Sequence, residues 1–302
     1  MAFAKTLWQS ICRFSPAATL HVLVTDRTTP ASASEFNQDT GFICHDSNTV
    51  LTSPTAKGIY KKYAAGNKDR FRWALKPVFI AWLLESGYNK VIYLDSDIYF
   101  TSNPDFLFKE LDTAAILLTP HWRNTNPLIS EDGLFSVLRD GLFNAGFVGA
   151  SASGASAMNW WAELCHYRTE KAPELGLYDD QKYLDLMSVE FENVRVLKHR
   201  GCNLAAWNLD TNFRKIIDGE LKINSTYDPV FIHFTKDTIY NIQKGNDVLL
   251  KPFLEQYYEQ LRAYNWQGDL LPLEKTFLYT LKQNTRIRTR LKRFFFWLSQ
   301  RL

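Results

Sequence analysis

The sequence predicts an α/β fold with a mostly parallel sheet flanked by helices, and three observations carry that reading. Short apolar runs recur between longer stretches of helical pattern, the alternation that layered α/β folds are built from. The runs are continuously apolar, as strands covered on both faces are. One of them, "VIYLDSD" (91–97), ends in two carboxylates, and in such sheets ligands bind beyond the carboxyl ends of the strands.

Phe3, Leu7, Ile11 and Phe14 recur at helical spacing, so the sequence opens inside a helix. "LHVLVTD" (20–26) reads as the first strand, and "KPVFIAWLLESG" (76–87) as a helix that Pro77 starts and Gly87 stops. "VIYLD" (91–95) and "AAILLT" (114–119) follow as strands. "ASAMNWWAELCHYR" (155–168) and "DDQKYLDLM" (179–187) have helical patterns, and "VRVL" (194–197) is a short strand. "VLLKPFLEQYYEQLRAY" (248–264) is a long amphipathic helix whose start Pro252 delays or kinks.

At 302 residues, 46% hydrophobic and 15% aromatic, the chain has enough apolar material for one α/β domain with additions. That excludes a disordered or fibrous protein. Cys12, Cys44, Cys165 and Cys202 are scattered without a CxxC pair, so neither a zinc site nor a disulfide framework is expected, and a reducing compartment fits. "MAFAKTLWQSICRF" is polar every few residues, unlike a signal peptide. No window holds the roughly 18 apolar residues of a membrane span. The net charge of +3 is unevenly placed, because residues 282–302 carry seven basic side chains and no acidic one, which leaves residues 1–281 at −4. The chain thus divides into a mildly acidic domain, 1–281, and a basic, aromatic tail, 282–302. A nucleic-acid-binding core is not expected.

Asp95 and Asp97 stand two residues apart at the end of an apolar run, a strand spacing that points both side chains the same way. Carboxylates that close repel and lose hydration, at a cost on the order of several kcal/mol. A divalent cation, Mn²⁺ or Mg²⁺, relieves it, and an oxygen-rich site suits either. The plain alternative is a solvated turn with two surface acids. Haloacid-dehalogenase-like phosphatases also place two acids after a strand, but with a small Thr or Val where this chain has Tyr99, and nearer the start.

Five blocks then appear in order: "YLDSD" (93–97), "FNAGFVG" (143–149), "DDQKYLD" (179–185), "CNLAAWNL" (202–209) and "FIHF" (231–234). In these, preceded by "LKP" (75–77) and its helix, the chain resembles glycosyltransferase family 8 and its bacterial relatives in surface-polysaccharide synthesis, nucleotide-sugar enzymes of the GT-A fold. The resemblance implies that Asp95 and Asp97 bind the metal and the donor's diphosphate, with Asp95 also near the ribose and His233 as third ligand. Read alone, His233 is a buried histidine between two phenylalanines.

Lys76 and Lys236 are the cations expected to face the diphosphate. The family's "GxxKPW"-like ending is replaced here by "HFTKDTIYN" (233–241), so Lys236 stands in for the family's lysine. Asn144 matches the donor-sugar asparagine, and the flanking Ala145 and Gly146 would let backbone approach the sugar; read alone, "FNAG" is turn chemistry. Asp180 and Gln181 match the acid–amide pair that faces the donor sugar, although alone they would merely cap a helix. Trp207 and Asn208 match the loop lining the acceptor side. The family retains anomeric configuration, and Gln181 is a poor nucleophile, so a front-face displacement is expected. Inversion would instead need a carboxylate base, Asp179 or Asp180.

One departure stands at the start. The family's first strand, which holds the nucleotide base, precedes the opening helix, and no counterpart is present in this sequence. The expectation is that Met1 is an internal methionine or a misassigned start and that neighbouring strands are left unpaired. At the other end, "TRIRTRLKRFFFWLSQRL" (285–302) joins basic and aromatic residues in the manner of a membrane-surface anchor. The expected protein is a metal-dependent, retaining glycosyltransferase, peripheral on the cytoplasmic face of the cell membrane. It would use a nucleotide-sugar donor, a uridine diphosphate in most of the family, and a glycan or lipid-linked acceptor. A catalytically inactive nucleotide- or glycan-binding relative is the alternative.

Overall fold

The computed structural model describes residues 1–25 and 41–268. Its first half runs α1 (Ala2–Cys12), β1 (Leu20–Val24), β2 (Phe42–Asp46), α2 (Pro54–Tyr63), α3 (Lys68–Glu85), β3 (Lys90–Leu94), β4 (Ile98–Phe100), α4 (Asp105–Glu110), β5 (Ile116–Pro120), α5 (Glu131–Asp140) and β6 (Phe143–Ser151). The second half continues with α6 (Ala155–Tyr167), β7 (Glu170–Ala172), β8 (Leu177–Asp179), α7 (Tyr183–Glu190), β9 (Val194–Val196), β10 (Arg214–Ile217), β11 (Glu220–Ile223), β12 (Phe231–His233), α8 (Lys236–Gln243) and α9 (Lys251–Ala263). Asp26 and the tail 282–302 lie outside the described residues.

The fold is α/β, but the sheet is mixed rather than mostly parallel. Its strand order is β3-β6-β5-β9, with β6 antiparallel to both β3 and β5 and only β9 parallel to β5. Sequence patterning missed β6 because "FNAGFVGAS" carries two glycines and reads as a turn. Those glycines serve close approach instead. A Cβ on Gly149 would stand 3.0 Å from the Leu117 Cβ on the neighbouring strand. All nine residues of β6 are buried.

Side chains alternate across the sheet. Ile116, Leu118 and Val148 face a core built with Leu75, Ile80 and Trp161. Leu117 and Phe147 face the opposite side, against Ile98, Phe100 and Phe231. A third cluster packs α8 and α9 against Tyr99 and Ile232. The helices thus cover both faces, as expected.

Two helix starts differ from expectation. Pro77 does not begin α3 but sits within it, because Asn67 caps the helix ten residues earlier by accepting from the Asp69 and Arg70 amides. The cost is the missing donor to the Trp73 carbonyl one turn back. The helix expected over 179–187 begins only at Tyr183, since Leu177–Asp179 pairs with β7 as a hairpin. Pro252 falls in the first turn of α9, where its absent N–H costs nothing.

β1 pairs in parallel with β2, and β3 antiparallel with β6; neither β1 nor β3 has a second partner strand among the described residues. Every residue of β1 and β3 is half-buried, unlike the enclosed strands β5 and β6. A cavity of about 800 Å³ is lined by Leu20 and Val22 of β1, Val91 and Ile92 of β3, and Phe79 of α3, and it extends to Asp95 and Asp97.

Candidate metal centre

β3 ends at Leu94, and one further ladder bond, from the Asp95 amide to the Gly146 carbonyl at 2.8 Å, fixes Asp95 opposite β6. The chain then turns, with the Ile98 amide donating to the Asp95 carbonyl at 3.1 Å. The two acids therefore converge through this turn rather than through strand alternation. β4 pairs antiparallel with β12, and their register sets His233 opposite Ile98, with the Phe234 amide donating to the Asp97 carbonyl. His233 Nε2 thereby reaches Asp97 Oδ1 at 3.0 Å across 136 residues of chain. One ligand atom from each of Asp95, Asp97 and His233 lies within 4.8 Å of the others.

His233 is nearly enclosed, while the two carboxylates are about one-third exposed at their side chains. Burial works against the Asp97 charge, but the His233 imidazolium and its hydrogen bond outweigh it and hold the carboxyl below its ordinary range. Burial likewise opposes the charged imidazole, and Asp97 overcomes it, raising His233. Two carboxylate oxygens and an imidazole nitrogen open to one point form a donor set suited to Mn²⁺ or Mg²⁺. Gly146 supplies the room, since a Cβ there would stand 2.5 Å from His233 Cε1 and 3.0 Å from Asp95 Oδ2. The residues present therefore fit a divalent cation. Gly146→Ala is expected to push His233 aside and weaken Mn²⁺ binding by at least about tenfold. A calorimetric titration checks this, and unchanged affinity would mean that the triad tolerates the methyl group.

Lys76 joins this triad to a second cluster. Its ammonium is 3.2 Å from Asp95 Oδ1, 3.3 Å from Asp180 Oδ2 and 3.1 Å from the Ala145 carbonyl, and the residue is 6% exposed. Burial alone would lower the lysine, but Asp180 and Asp95 hold it charged, well above its ordinary value. The Tyr93 hydroxyl donates to Asp95 Oδ1 at 2.9 Å. Burial pushes Asp180 up to about 6, with Lys76 opposing and Asp95 and Asp179 reinforcing the shift. A cation bound at Asp95 offsets that repulsion, so Mg²⁺ is expected to lower the Asp180 titration. Carboxyl NMR with and without Mg²⁺ reads it; no movement would separate Asp180 electrically from the metal centre.

Asn144 and Gln181 complete the wall. Asn144 Oδ1 accepts from the Gly146 amide, and its Nδ2 reaches Gln181 Oε1 and His121 Nε2, each at 3.4 Å. Gln181 Oε1 accepts from the Ala145 amide at 3.2 Å, and its Nε2 donates to the Asp140 carbonyl at 2.8 Å. Asp179 is drawn away to Lys171 at 3.3 Å. Lys236 is exposed at the start of α8 and lines the cavity without reaching the triad by any ion pair among the described residues. Trp207 lies edge-on to His233 and to His121, with centroids 5.4 Å and 5.3 Å apart. Asn208 turns inward to the Ala205 amide, the Asn203 carbonyl and Arg214, and so shapes its loop instead of facing a ligand.

His121 and Tyr93 were not found from the sequence. Burial, with Arg123 adding to it, drives His121 down to about 3, so it stays neutral beside Asn144. A lone histidine after a strand gives no signal of that. Tyr93 lies inside "YLDSD" and was legible as part of the strand only.

No protein-family model matches the chain. It is 26% identical over 204 residues to the uncharacterized protein YfnF of Bacillus subtilis (strain 168), a match that covers 64% of this chain and 67% of that protein. It is 31% identical over 180 residues to the uncharacterized protein YfnD of the same strain, covering 58% of this chain and only 56% of that protein. Among solved structures it is similar to the apo form of mouse xyloside xylosyltransferase 1, with a TM-score of 0.45 and 17% identity, over 78% of this chain and 92% of that one.

Proposed function

We propose that this protein is a metal-dependent, retaining glycosyltransferase of the GT-A type. It moves a sugar from a uridine diphosphate donor to a glycan or lipid-linked acceptor in cell-surface polysaccharide assembly. The observation that carries this reading is one continuous wall on which Asp95, Asp97 and His233 adjoin Lys76, Asp180, Asn144 and Gln181. Asp95, Asp97 and His233 would hold the divalent cation, which would supply stabilisation of the negative charge that develops on the diphosphate. Lys76, buried between Asp95 and Asp180, and the exposed Lys236 both line the cavity and add positive charge toward the diphosphate. Asn144 and Asp180 orient the donor sugar.

Retention is supported by the engagement of both carboxylates that could serve as an inverting base, Asp179 with Lys171 and Asp180 with Lys76, and a front-face route by the lack of a free nucleophile on the wall. Gln181 is an amide engaged at both ends, and Asp180 is bound to Lys76, so neither is a free carboxylate nucleophile. The acceptor hydroxyl oxygen bonds to the anomeric carbon on the face from which the diphosphate leaves. The carbon–oxygen bond to diphosphate breaks, and the hydroxyl proton passes to the departing phosphate oxygen.

Among the described residues, the cavity between β1 and β3 is bordered by a strand edge on each side and has an apolar lining, a shape that would take one further strand. If the slot is unfilled, the unpaired half of the β3 amides exchanges hydrogen far faster than those of β5. Uniform protection would mean that the edge is covered. No helix among the described residues is long and apolar enough to cross a membrane. The tail 285–302 is proposed to bind the inner membrane surface, each basic residue contributing on the order of 1 kcal/mol near anionic lipid.

Turnover tests the whole reading. Nucleoside diphosphate release from a panel of nucleotide sugars, with Mn²⁺ or with EDTA, is expected for one uridine diphosphate sugar and only with the metal. Mn²⁺-dependent nucleotide binding without turnover on any acceptor would favour the inactive relative.

A further inference from the structure

β5 and β9 are the parallel pair of the sheet, with Leu118 opposite Val196, and the Leu197 amide donates to the Leu118 carbonyl. Their carboxyl ends therefore emerge side by side, where ligands bind in such sheets. From β5 come His121, Trp122 and Arg123, and from β9 come Lys198, His199 and Arg200. The Arg200 guanidinium lies over the Trp122 ring at 3.5 Å, and Lys198 Nζ stands 5.6 Å from the same ring. Trp122 has a φ of 56°, a strained conformation for a bulky residue. It is held there by Arg200 on its ring and by the Thr211 hydroxyl donating to its carbonyl.

Neither Lys198 nor Arg200 forms an ion pair among the described residues, and Arg200 donates one side-chain hydrogen bond, to Asn212 Oδ1 at 3.1 Å. Three acids of this region are matched, Asp140 with Arg123 and Arg139, Asp228 with Lys222, and Asp247 with Arg214, while Asp237, which faces Arg123, forms no ion pair among the described residues. Three buried donors nearby have no hydrogen-bond partner among the described residues: Trp122 Nε1, Trp207 Nε1 and Arg123 Nε. The patch begins one residue after His121, whose ring touches both Asn144 and Trp207.

We propose that Lys198, Arg200 and Trp122 form a subsite for a phosphate group carried by the acceptor, next to the hydroxyl that is glycosylated. This rests on the glycosyltransferase reading and adds the acceptor's chemistry to it. Two unmatched cations suit the near-dianionic charge of a phosphate ester better than a single carboxylate, and a guanidinium fork matches its oxygens. The Trp122 ring gives the adjoining sugar an apolar wall.

The test is calorimetric binding of glucose 1-phosphate, glucose and a soluble prenyl phosphate to the intact chain in EDTA, which removes the metal-dependent donor site. Wild type and Asp97→Asn are expected to bind the phosphate probes equally and glucose at least about tenfold more weakly. Lys198→Glu, at an exposed position that leaves the fold intact, and Lys198→Ala with Arg200→Ala are expected to lose the phosphate probes. Preference for the prenyl phosphate identifies a lipid-borne phosphate; preference for glucose 1-phosphate identifies one on the glycan. Loss of binding in Asp97→Asn but not in the Lys198 variants would assign the phosphate to the donor site and overturn the proposal. Equal binding of glucose, or no binding of either phosphate, overturns it too. Because the donor site is silent in EDTA, none of these results decides whether the chain transfers sugar.

Discussion

Asp97→Asn is expected to lower Mn²⁺ affinity by at least about 100-fold, because an amide brings neither the charge nor the donor strength of the carboxylate it replaces. Asp97 is the acid nearest His233, and the Nε2–Oδ1 distance of 3.0 Å marks where a cation would displace a shared proton. The substitution should barely change folding. Asp97 is one-third exposed at its side chain, and the buried His233 can shed its proton once the carboxylate is gone, so the loss is on the order of 1 kcal/mol. It also relieves repulsion from Asp95. Depletion of the free Mn²⁺ electron paramagnetic resonance signal reads affinity, and urea denaturation reads stability. Retained affinity with unchanged stability would remove Asp97 from the metal centre.

Lys76→Met is expected to be the most destabilising single change at the site. It removes the cation between Asp95 and Asp180 while leaving Asp180 only 2% exposed. Breaking a buried pair from one side costs about 3–5 kcal/mol. The low end is expected, because Asp180, already raised to about 6, can take up a proton instead of staying charged. The sign with pH follows. A lysine raised above its unfolded value stabilises the fold fully below that unfolded value and loses the contribution only as pH climbs through the folded one. The wild-type contribution of Lys76 is thus present at neutral pH. In Lys76→Met the deficit should shrink as pH falls through the Asp180 titration, because a neutral Asp180 needs no partner. A deficit that is flat from pH 4 to 8 would mean that the lysine acts by packing alone.

The sequence made part of this architecture legible and concealed the rest for identifiable reasons. The run "VIYL" reads correctly as a strand delivering Asp95, since apolar continuity survives any tertiary context. That Asp97 and His233 meet could not be derived from local pattern, because it depends on the register of β4 against β12. Resemblance supplied that pairing in advance of the geometry. Pro77 misled because proline is commonest at helix starts, yet Asn67 caps the helix nearly three turns earlier. β6 was hidden by its own function. It needs glycine where His233 and Leu117 come close, and glycine reads as a turn. That strand also turned the expected parallel sheet into a mixed one. Trp122, Arg200 and His121 carry no sequence signature at all. Their association exists only because β5 and β9 end side by side.

The most direct measurement is a calorimetric titration of the wild-type chain with uridine diphosphate, in the presence and absence of Mn²⁺. A uridine diphosphate at 100 times its dissociation constant would add roughly 2.7 kcal/mol to stability, so a parallel melting curve confirms the same event. The account predicts binding that requires Mn²⁺, and that disappears in Asp97→Asn. Binding of equal strength without the metal, or no binding with it, would contradict the assignment of Asp95, Asp97 and His233 as the cation site of a sugar-nucleotide enzyme.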